Sequence, residues 1–144
     1  MEPGRVFDLM DVVGFSPKVA EGAYVSRMLV DRESVGSNSL TVNHFTLKAG
    51  KSTEPGSHPS PFDEFYYVLR GTGRVELGSP PQVFLLKPGT FVFIQSETVH
   101  ALRCDEGADL EVLTVMPEQP VPGANYVYDE RLREWGTSFR TVQA

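Results

Sequence analysis

Glycine and proline cut this chain into short segments, and that feature constrains its fold more than any other. Of the 144 residues, 13 are glycine and 11 are proline, and nine of the prolines cluster around positions 55–61, 80–88 and 117–122. The segments between these clusters are rich in β-branched and aromatic residues, which favour strands over helices. The pattern therefore predicts an all-β protein, an antiparallel sandwich or barrel, rather than a helical bundle.

Eight segments are predicted to be strands: Ala23–Val30, Leu40–Lys48, Glu64–Arg70, Gly73–Leu77, Val83–Leu86, Phe91–Ile94, His100–Cys104 and Leu110–Val115. The segment Phe7–Val13 fits either a short helix or a strand. Near the C-terminus, Asp129 is a good N-cap and Gly136 a good residue to end a helix. This punctuation predicts a short C-terminal helix that packs on the sandwich.

Charge and hydropathy exclude several classes of partner. The net charge is −6, and lysine and arginine form no cluster of the kind that nucleic-acid-binding proteins carry. No apolar run approaches the ~18 residues of a membrane-spanning helix, and the N-terminus does not resemble a secretory signal. The single Cys104 excludes a disulfide within the chain and fits a reducing compartment. We expect a cytoplasmic protein with no nucleic-acid or membrane partner.

The residues that could carry chemistry lie in two stretches. In the first, a proline-rich loop carries His58, and a predicted strand follows that begins at Glu64. Strand alternation places Glu64, Tyr66 and Val68 on one face, so the carboxylate and the phenol could point into a barrel interior. In the second, a Pro-Gly turn precedes an apolar strand, and His100 begins the strand after it.

These two stretches resemble the paired motifs of the cupin superfamily. Gly50, Glu64 and Gly71 match the first motif, and Gly89 and His100 match the second. The resemblance covers roughly residues 40–115 and implies a cupin-type jelly roll. It implies one cupin domain over residues 1–144, with N-terminal strands in 1–39 and a C-terminal loop and short helix in 116–144.

The resemblance also implies a metal site, which in cupins usually takes two histidines and a glutamate from the first motif and a histidine from the second. One first-motif histidine is absent here, and either Gly56 or Ser60 stands in its place. The remaining His58, Glu64 and His100 form a two-histidine, one-carboxylate set of the kind that binds Fe, Zn, Mn or Ni. Whether a metal is bound at all stays open.

Three other side chains have alternative interpretations. His44 could supply a fourth ligand if it points inward, but its strand is apolar on both faces. Asp63 fits a solvent-facing neighbour of Glu64, or it could take the ligand position itself. Cys104 fits a small core residue better than a ligand.

The residues and the resemblance together predict a small enzyme that acts on a carbonyl compound, with Glu64, His100 and Tyr66 as catalytic residues. Segments 25–36 and 125–139 resemble small cupins of aromatic polyketide biosynthesis, which implies a polyketide cyclase-like cyclisation. The alternatives are a metal-free cupin that binds a small molecule and a cupin-type sugar isomerase.

The segment before the motifs predicts a homodimer. Single-domain cupins often dimerise by exchanging such strands, and a two-fold pair is the commonest oligomer. The apolar residues expected at this contact are Phe7, Leu9, Tyr24, Met28 and Val30.

Overall fold

A computed structural model describes residues 3–17, 22–117 and 139–142 of the chain. Its ten strands are β1 (Gly14–Pro17), β2 (Tyr24–Val30), β3 (Leu40–Leu47), β4 (Glu64–Arg70), β5 (Gly73–Leu77), β6 (Gln82–Leu86), β7 (Phe91–Ile94), β8 (His100–Cys104), β9 (Leu110–Pro117) and β10 (Phe139–Val142). A 3₁₀ turn spans Leu9–Asp11, and a one-turn helix, α1, spans Arg32–Val35. Neither is long enough to cross a membrane, and no other helix occurs in these residues.

The strands form two antiparallel sheets, as the glycine and proline pattern predicts. The larger sheet has the order β10-β1-β2-β3-β9-β4-β7, and the smaller has the order β6-β5-β8. Their facing sides share one apolar core, the interior of a jelly roll. The core residues include Leu47, Val68, Leu110 and Val112 from the larger sheet and Val75, Leu86, Leu102 and Cys104 from the smaller.

All eight predicted strands are present, and β4 shows why the alternation argument succeeds. Glu64, Tyr66 and Val68 are each 7% exposed or less, whereas Phe65 and Leu69 are 38% and 37% exposed. One face of β4 therefore lies in the interior and the other faces outward. Because the period of a strand is two, the register of β4 alone decides that the Glu64 carboxylate is buried.

Three elements were not predicted, namely β1, α1 and β10. Strand β1 begins with a glycine and ends with a proline, so its strand signal is weak, and pairing with β2 and β10 supplies what local propensity lacks. Helix α1 begins where Asp31 accepts a hydrogen bond from the Ser34 amide, and it ends at Gly36 with φ 74°. Within Phe7–Val13 the structure forms the 3₁₀ turn. The predicted helix at 129–136 lies outside the described residues.

Candidate metal and catalytic centre

Strand β4 positions the first residue of the site. Glu64 begins this strand on its inner face, directly opposite Ile94 of β7, and is 7% exposed. The interior below it is occupied by the side chains of Tyr66 and Val68. The carboxylate thus lies at the end of the apolar core, where an unpaired charge would be costly.

Strand β8 of the smaller sheet brings His100 to the same point. The His100 Nδ1 atom lies 2.8 Å from the Thr98 carbonyl oxygen, which can only accept, so Nδ1 carries the proton and donates. In the neutral ring, Nε2 therefore presents a lone pair. That Nε2 atom lies 3.3 Å from Glu64 Oε1.

The proline-rich loop delivers His58 because its first part pairs with the free edge of β8. Gly56 lies opposite His100, and the two residues exchange backbone hydrogen bonds of 2.8 and 3.1 Å. Two residues further on, the His58 carbonyl accepts a 2.6 Å hydrogen bond from the Glu97 amide. With its backbone held on both sides, His58 places Nε2 3.4 Å from Glu64 Oε1.

The three side chains fit a divalent metal ion. Their ligand atoms lie within 4.8 Å of one another. Glu64 Oε1 is fully buried and, although it is near two imidazole nitrogens, has no hydrogen bond of acceptable geometry in the described residues. Ligands that bind one ion at about 2.0–2.2 Å lie roughly 3.0–3.4 Å from each other, which is the separation between Glu64 and each histidine. A cation would therefore satisfy the orphaned oxygen.

The charges of the site also favour a bound cation. Burial acts to raise the pKa of Glu64, but the interaction of its carboxylate with the adjacent His100 and His58 imidazoles outweighs it and holds that pKa at about 2. Burial acts to lower the pKa of His100, but Glu64 and the Thr98 carbonyl raise it above its ordinary value. Glu64 is thus an anion at neutral pH, and the two histidines face it.

Tyr66 completes the inner face of β4 beside the carboxylate. Burial raises the pKa of this phenol well above its ordinary value, and the charge of Glu64 and a hydrogen bond to it raise the pKa further. The Tyr66 ring meets the His100 ring edge-on at 6.2 Å between centroids. Tyr66 is therefore a neutral hydrogen-bond donor in contact with the centre.

The structure places His44 apart from this cluster. The side chains of Leu47 on β3 and Val112 on β9 lie in the core, so His44 and Glu111 lie on the outer face of the larger sheet. There the His44 Nε2 atom is 3.2 Å from Glu111 Oε1. Burial lowers the pKa of His44 even though Glu111 opposes this shift. His44 therefore does not point inward as a fourth ligand, because the register of β3 places it on the outer face.

The structure also shows the positions of Asp63 and Cys104, the two other residues with alternative interpretations. The Asp63 carboxylate accepts a 2.8 Å hydrogen bond from the Ser96 amide, so it holds the turn after β7 and does not replace Glu64. Cys104 is 7% exposed and packs in the core, as its small apolar character predicts.

The geometry favours Gly56 as the position of the absent histidine. Residues directly opposite each other in a sheet place their side chains on the same face, so a side chain at 56 would lie beside that of His100. A Cβ atom built on Gly56 would meet nothing within 4 Å. Glycine here leaves one side of the centre open, where a water molecule or a substrate could approach.

The Thr98 carbonyl could not be identified from the sequence, because a backbone oxygen carries no residue-type signal. Two buried polar residues on the inner face of the larger sheet, Ser26 and Asn43, were not predicted either. Alternation gave no clear signal for Asn43, because both faces of β3 contain polar and apolar residues.

Comparison with known proteins assigns the family. The model of the cupin domain matches residues 43–116, which is 74 of 144 residues, so the chain belongs to the cupin family. A search of curated protein sequences finds no match.

Solved structures share the fold at low sequence identity. The polyketide cyclase RemF from Streptomyces resistomycificus superposes with a TM-score of 0.66 at 21% identity over 78% of each chain. The ectoine synthase from P. lautus gives 0.57 at 20% identity over 85% of this chain and 78% of its own. The Fe(II) form of HppE gives 0.64 at 20% identity over 81% of this chain and 62% of its own.

Proposed function

We propose that this cupin is an enzyme of small-molecule carbonyl chemistry in which His58, Glu64 and His100 hold a divalent metal ion such as Fe, Zn, Mn or Ni. The observation that carries the proposal is the buried Glu64 Oε1 atom, which has no hydrogen-bond partner in the described residues and lies 3.3 and 3.4 Å from two imidazole nitrogens. A metal ion there would act as a Lewis acid toward a carbonyl or enolate oxygen.

The neighbouring side chains would bind and orient the ion and the substrate. A phenol whose pKa is raised stays protonated at neutral pH, so Tyr66 can donate a hydrogen bond to a substrate oxygen but cannot act as a base. Glu64 stays ionised and would act as a ligand of the cation, because a carboxylate whose pKa is about 2 is a weak base. The Thr98 carbonyl keeps the His100 ring in one orientation while the substrate is bound.

Within this chemistry we favour cyclisation of a compound that carries more than one carbonyl group. Enolisation at one carbonyl creates the carbon nucleophile that attacks another, and a metal ion together with the Tyr66 hydroxyl would stabilise the enolate oxygen of that step. The likeness of the fold to the polyketide cyclase RemF supports this choice. A sugar-phosphate isomerase fits less well, because the inner faces of β2 to β9 carry no lysine or arginine to bind a phosphate.

Hydrogen–deuterium exchange tests the proposal without knowledge of the natural substrate. An enzyme that enolises carbonyl compounds should accelerate exchange of the acidic C–H protons of 2-tetralone, a neutral aromatic ketone, in D₂O. The rate would be followed by proton NMR with zinc-, iron- and manganese-loaded protein. The Glu64→Gln and His100→Ala variants should lose at least about 100-fold of the acceleration, because each removes a ligand of the ion.

The matched control is His44→Gln, which removes the histidine outside the centre and should leave the rate unchanged. If no metal form accelerates exchange, or if the Glu64→Gln variant exchanges as fast as the wild type, the enzymatic proposal is wrong. The remaining candidate is then a cupin that binds a small molecule without turnover, which the glycine at position 56 favours because it removes one ligand.

A further inference from the structure

The barrel interior is divided into a dry half and a polar half. At the end away from Glu64, the inner face of the larger sheet is formed by Leu47, Val68 and Val112, all 0% exposed. Toward Glu64 the same face changes character, and β2, β3 and β9 contribute Ser26, Asn43 and Thr114, respectively. Polar residues in a jelly-roll interior need partners, so this half of the wall calls for an explanation.

The strand register places two of these polar residues, Asn43 and Thr114, in one row with Tyr66, whereas Ser26 lies in the next row, opposite Phe45. Asn43 lies opposite Thr114 in the β3–β9 pair, and Thr114 lies opposite Tyr66 in the β9–β4 pair. Neighbouring strands are about 4.8 Å apart, so the backbones of Asn43 and Tyr66 are separated by roughly 10 Å across the inner face. The row therefore leads from the centre to Asn43.

The Asn43 side chain is fixed by one hydrogen bond, but its amide N–H groups have no acceptor in the described residues. Its Oδ1 atom accepts a 2.8 Å hydrogen bond from Ser26 Oγ, and the residue is only 6% exposed. No acceptor for its Nδ2 atom is found among the described residues. Among the described residues, the polar side-chain atoms that are fully buried and lack a partner are Ser16 Oγ, both His44 nitrogens and Glu64 Oε1, so Asn43 Nδ2 is not fully buried. Asn43 Nδ2 therefore opens onto accessible space.

The same wall lacks positive charge. Arg27 is the nearest candidate on β2, but it lies opposite His44 on the outer face of the larger sheet and donates to the Val12 carbonyl. In β2 to β9 no lysine or arginine occupies an inner-face position, since Arg70 follows a register shift in β4 and pairs with Glu111 on the outer face. A ligand that enters this half meets hydrogen-bonding groups and apolar side chains, without a cation for a carboxylate or a phosphate.

We propose that Asn43, held by Ser26, is a specificity-determining donor that recognises a second oxygen of the substrate. This inference rests on the proposed function for the position of the reacting carbonyl. It assigns the substrate class as a neutral, largely apolar, polyoxygenated molecule, with a carbonyl at the His58–Glu64–His100 centre. A second hydroxyl or carbonyl oxygen, further along the row from Tyr66 through Thr114, would meet Asn43 Nδ2.

Binding of a probe series tests the assignment. The parent probe is 1-hydroxyanthraquinone, whose adjacent hydroxyl and ketone would lie at the centre. Four derivatives of the parent, each with one extra hydroxyl at a different position of the far ring, sample the positions that Asn43 could reach. At least one derivative should bind zinc-loaded wild-type protein about 3- to 10-fold more tightly than the parent, the gain from one hydrogen bond. In Asn43→Leu this gain should disappear while the Kd of the parent stays unchanged.

Two further variants test whether the gain in affinity depends specifically on Asn43. Ser26→Ala removes one hydroxyl, should keep the fold, and should reduce the gain to a value between those of the wild type and Asn43→Leu. Thr41→Val is the matched control, since Thr41 lies two residues away on β3 and its hydroxyl already donates to the Met116 carbonyl. It should leave the gain intact. The inference is overturned if no derivative gains affinity, if none of the probes binds, or if the gain survives in Asn43→Leu.

Repeating the titrations with metal-stripped protein and His100→Ala separates this inference from the proposed function. If the parent binds equally well with and without zinc and with His100→Ala, the proposed centre is wrong. A hydroxyl gain that still depends on Asn43 would support the subsite in that case. If zinc strengthens parent binding but no hydroxyl gain depends on Asn43, the centre stands and the subsite is wrong.

Discussion

His100 Nδ1 donates a 2.8 Å hydrogen bond to the Thr98 carbonyl oxygen, and this bond determines which ring nitrogen faces Glu64. With the proton on Nδ1, neutral His100 turns the lone pair of Nε2 toward a carboxylate oxygen 3.3 Å away. Two lone pairs at that distance repel each other unless a cation lies between them. The cation can be a proton, which makes His100 an imidazolium, or a metal ion.

The proton form predicts a pH dependence for metal-stripped protein. The pKa of Glu64 is lowered to about 2, so its contribution to stability is complete above about pH 4.5 and is lost as the pH falls toward 2. The pKa of His100 is raised above 6.5, so its contribution is complete below about pH 6.5 and is lost as the pH rises through the folded value. The free energy of unfolding of the wild type should therefore exceed that of Glu64→Gln most between about pH 4.5 and 6.5, by roughly 2–4 kcal/mol.

Urea unfolding from pH 4 to pH 9 measures this difference. Glu54→Gln, a change at an exposed loop position, is the control and should follow the wild type at every pH. A constant difference between the wild type and Glu64→Gln from pH 5 to pH 9 would show that His100 and Glu64 do not form the expected pair.

Restoring the absent ligand is a second prediction. Gly56→His places an imidazole on the inner face beside His100, in space that the glycine leaves open. Metal affinity should rise by at least about tenfold, because a fourth protein ligand completes the set that cupins usually offer. Calorimetric titration with zinc measures the change. Ser60→His is the matched control, and an equal gain there would contradict the assignment of position 56.

The turn glycines give a prediction for stability. Gly71 has φ 80°, and a Cβ atom on it would lie 2.2 Å from the Asp109 carbonyl oxygen, whereas Gly89 has φ 90° and open space. Gly71→Val should cost roughly 1–3 kcal/mol of unfolding free energy, and Gly89→Ala should cost less because only the backbone angle is strained. Gly4→Ala, with ordinary φ and no close neighbour, is the control. A Gly71→Val change below half a kilocalorie in urea unfolding would refute the close contact.

The contact of the N-terminal segment in a dimer stays a prediction. Val6, Phe7 and Met10 are 103%, 39% and 53% exposed, whereas Tyr24 packs against the core. Light scattering at micromolar concentration should give twice the chain mass of 15.9 kDa. Val6→Asp with Met10→Asp should give the single mass, and a wild-type particle of 15.9 kDa would exclude the dimer.

The position of Glu64 could be predicted from the sequence, whereas the approach of His58 could not. Alternation within β4 is a local property, and seven residues suffice to assign its buried face. The position of His58 depends on Gly56 pairing with the edge of β8, more than forty residues later in the chain. Nothing in a proline-rich loop reveals such a partner, so the sequence left the alignment of Gly56 and Ser60 open.

The outward direction of His44 and the inward direction of Asn43 illustrate the same limit. Adjacent residues of a strand point to opposite faces, but β3 carries apolar residues on both, so alternation alone does not say which is inside. The pairing of β3 with β9 decides it, since Val112 lies in the core and Glu111 does not. β1 was missed for a related reason, because its strand character comes from its neighbours.

The most direct test of the centre is a calorimetric titration of tag-free, metal-stripped protein with zinc and cobalt. The wild type and His44→Gln should each bind one ion per chain. Both Glu64→Gln and His100→Ala should lose at least about 100-fold of the affinity, because each removes one of three ligands. Absence of binding by the wild type, or equal binding by His100→Ala, would contradict the claim that His58, Glu64 and His100 form a metal centre.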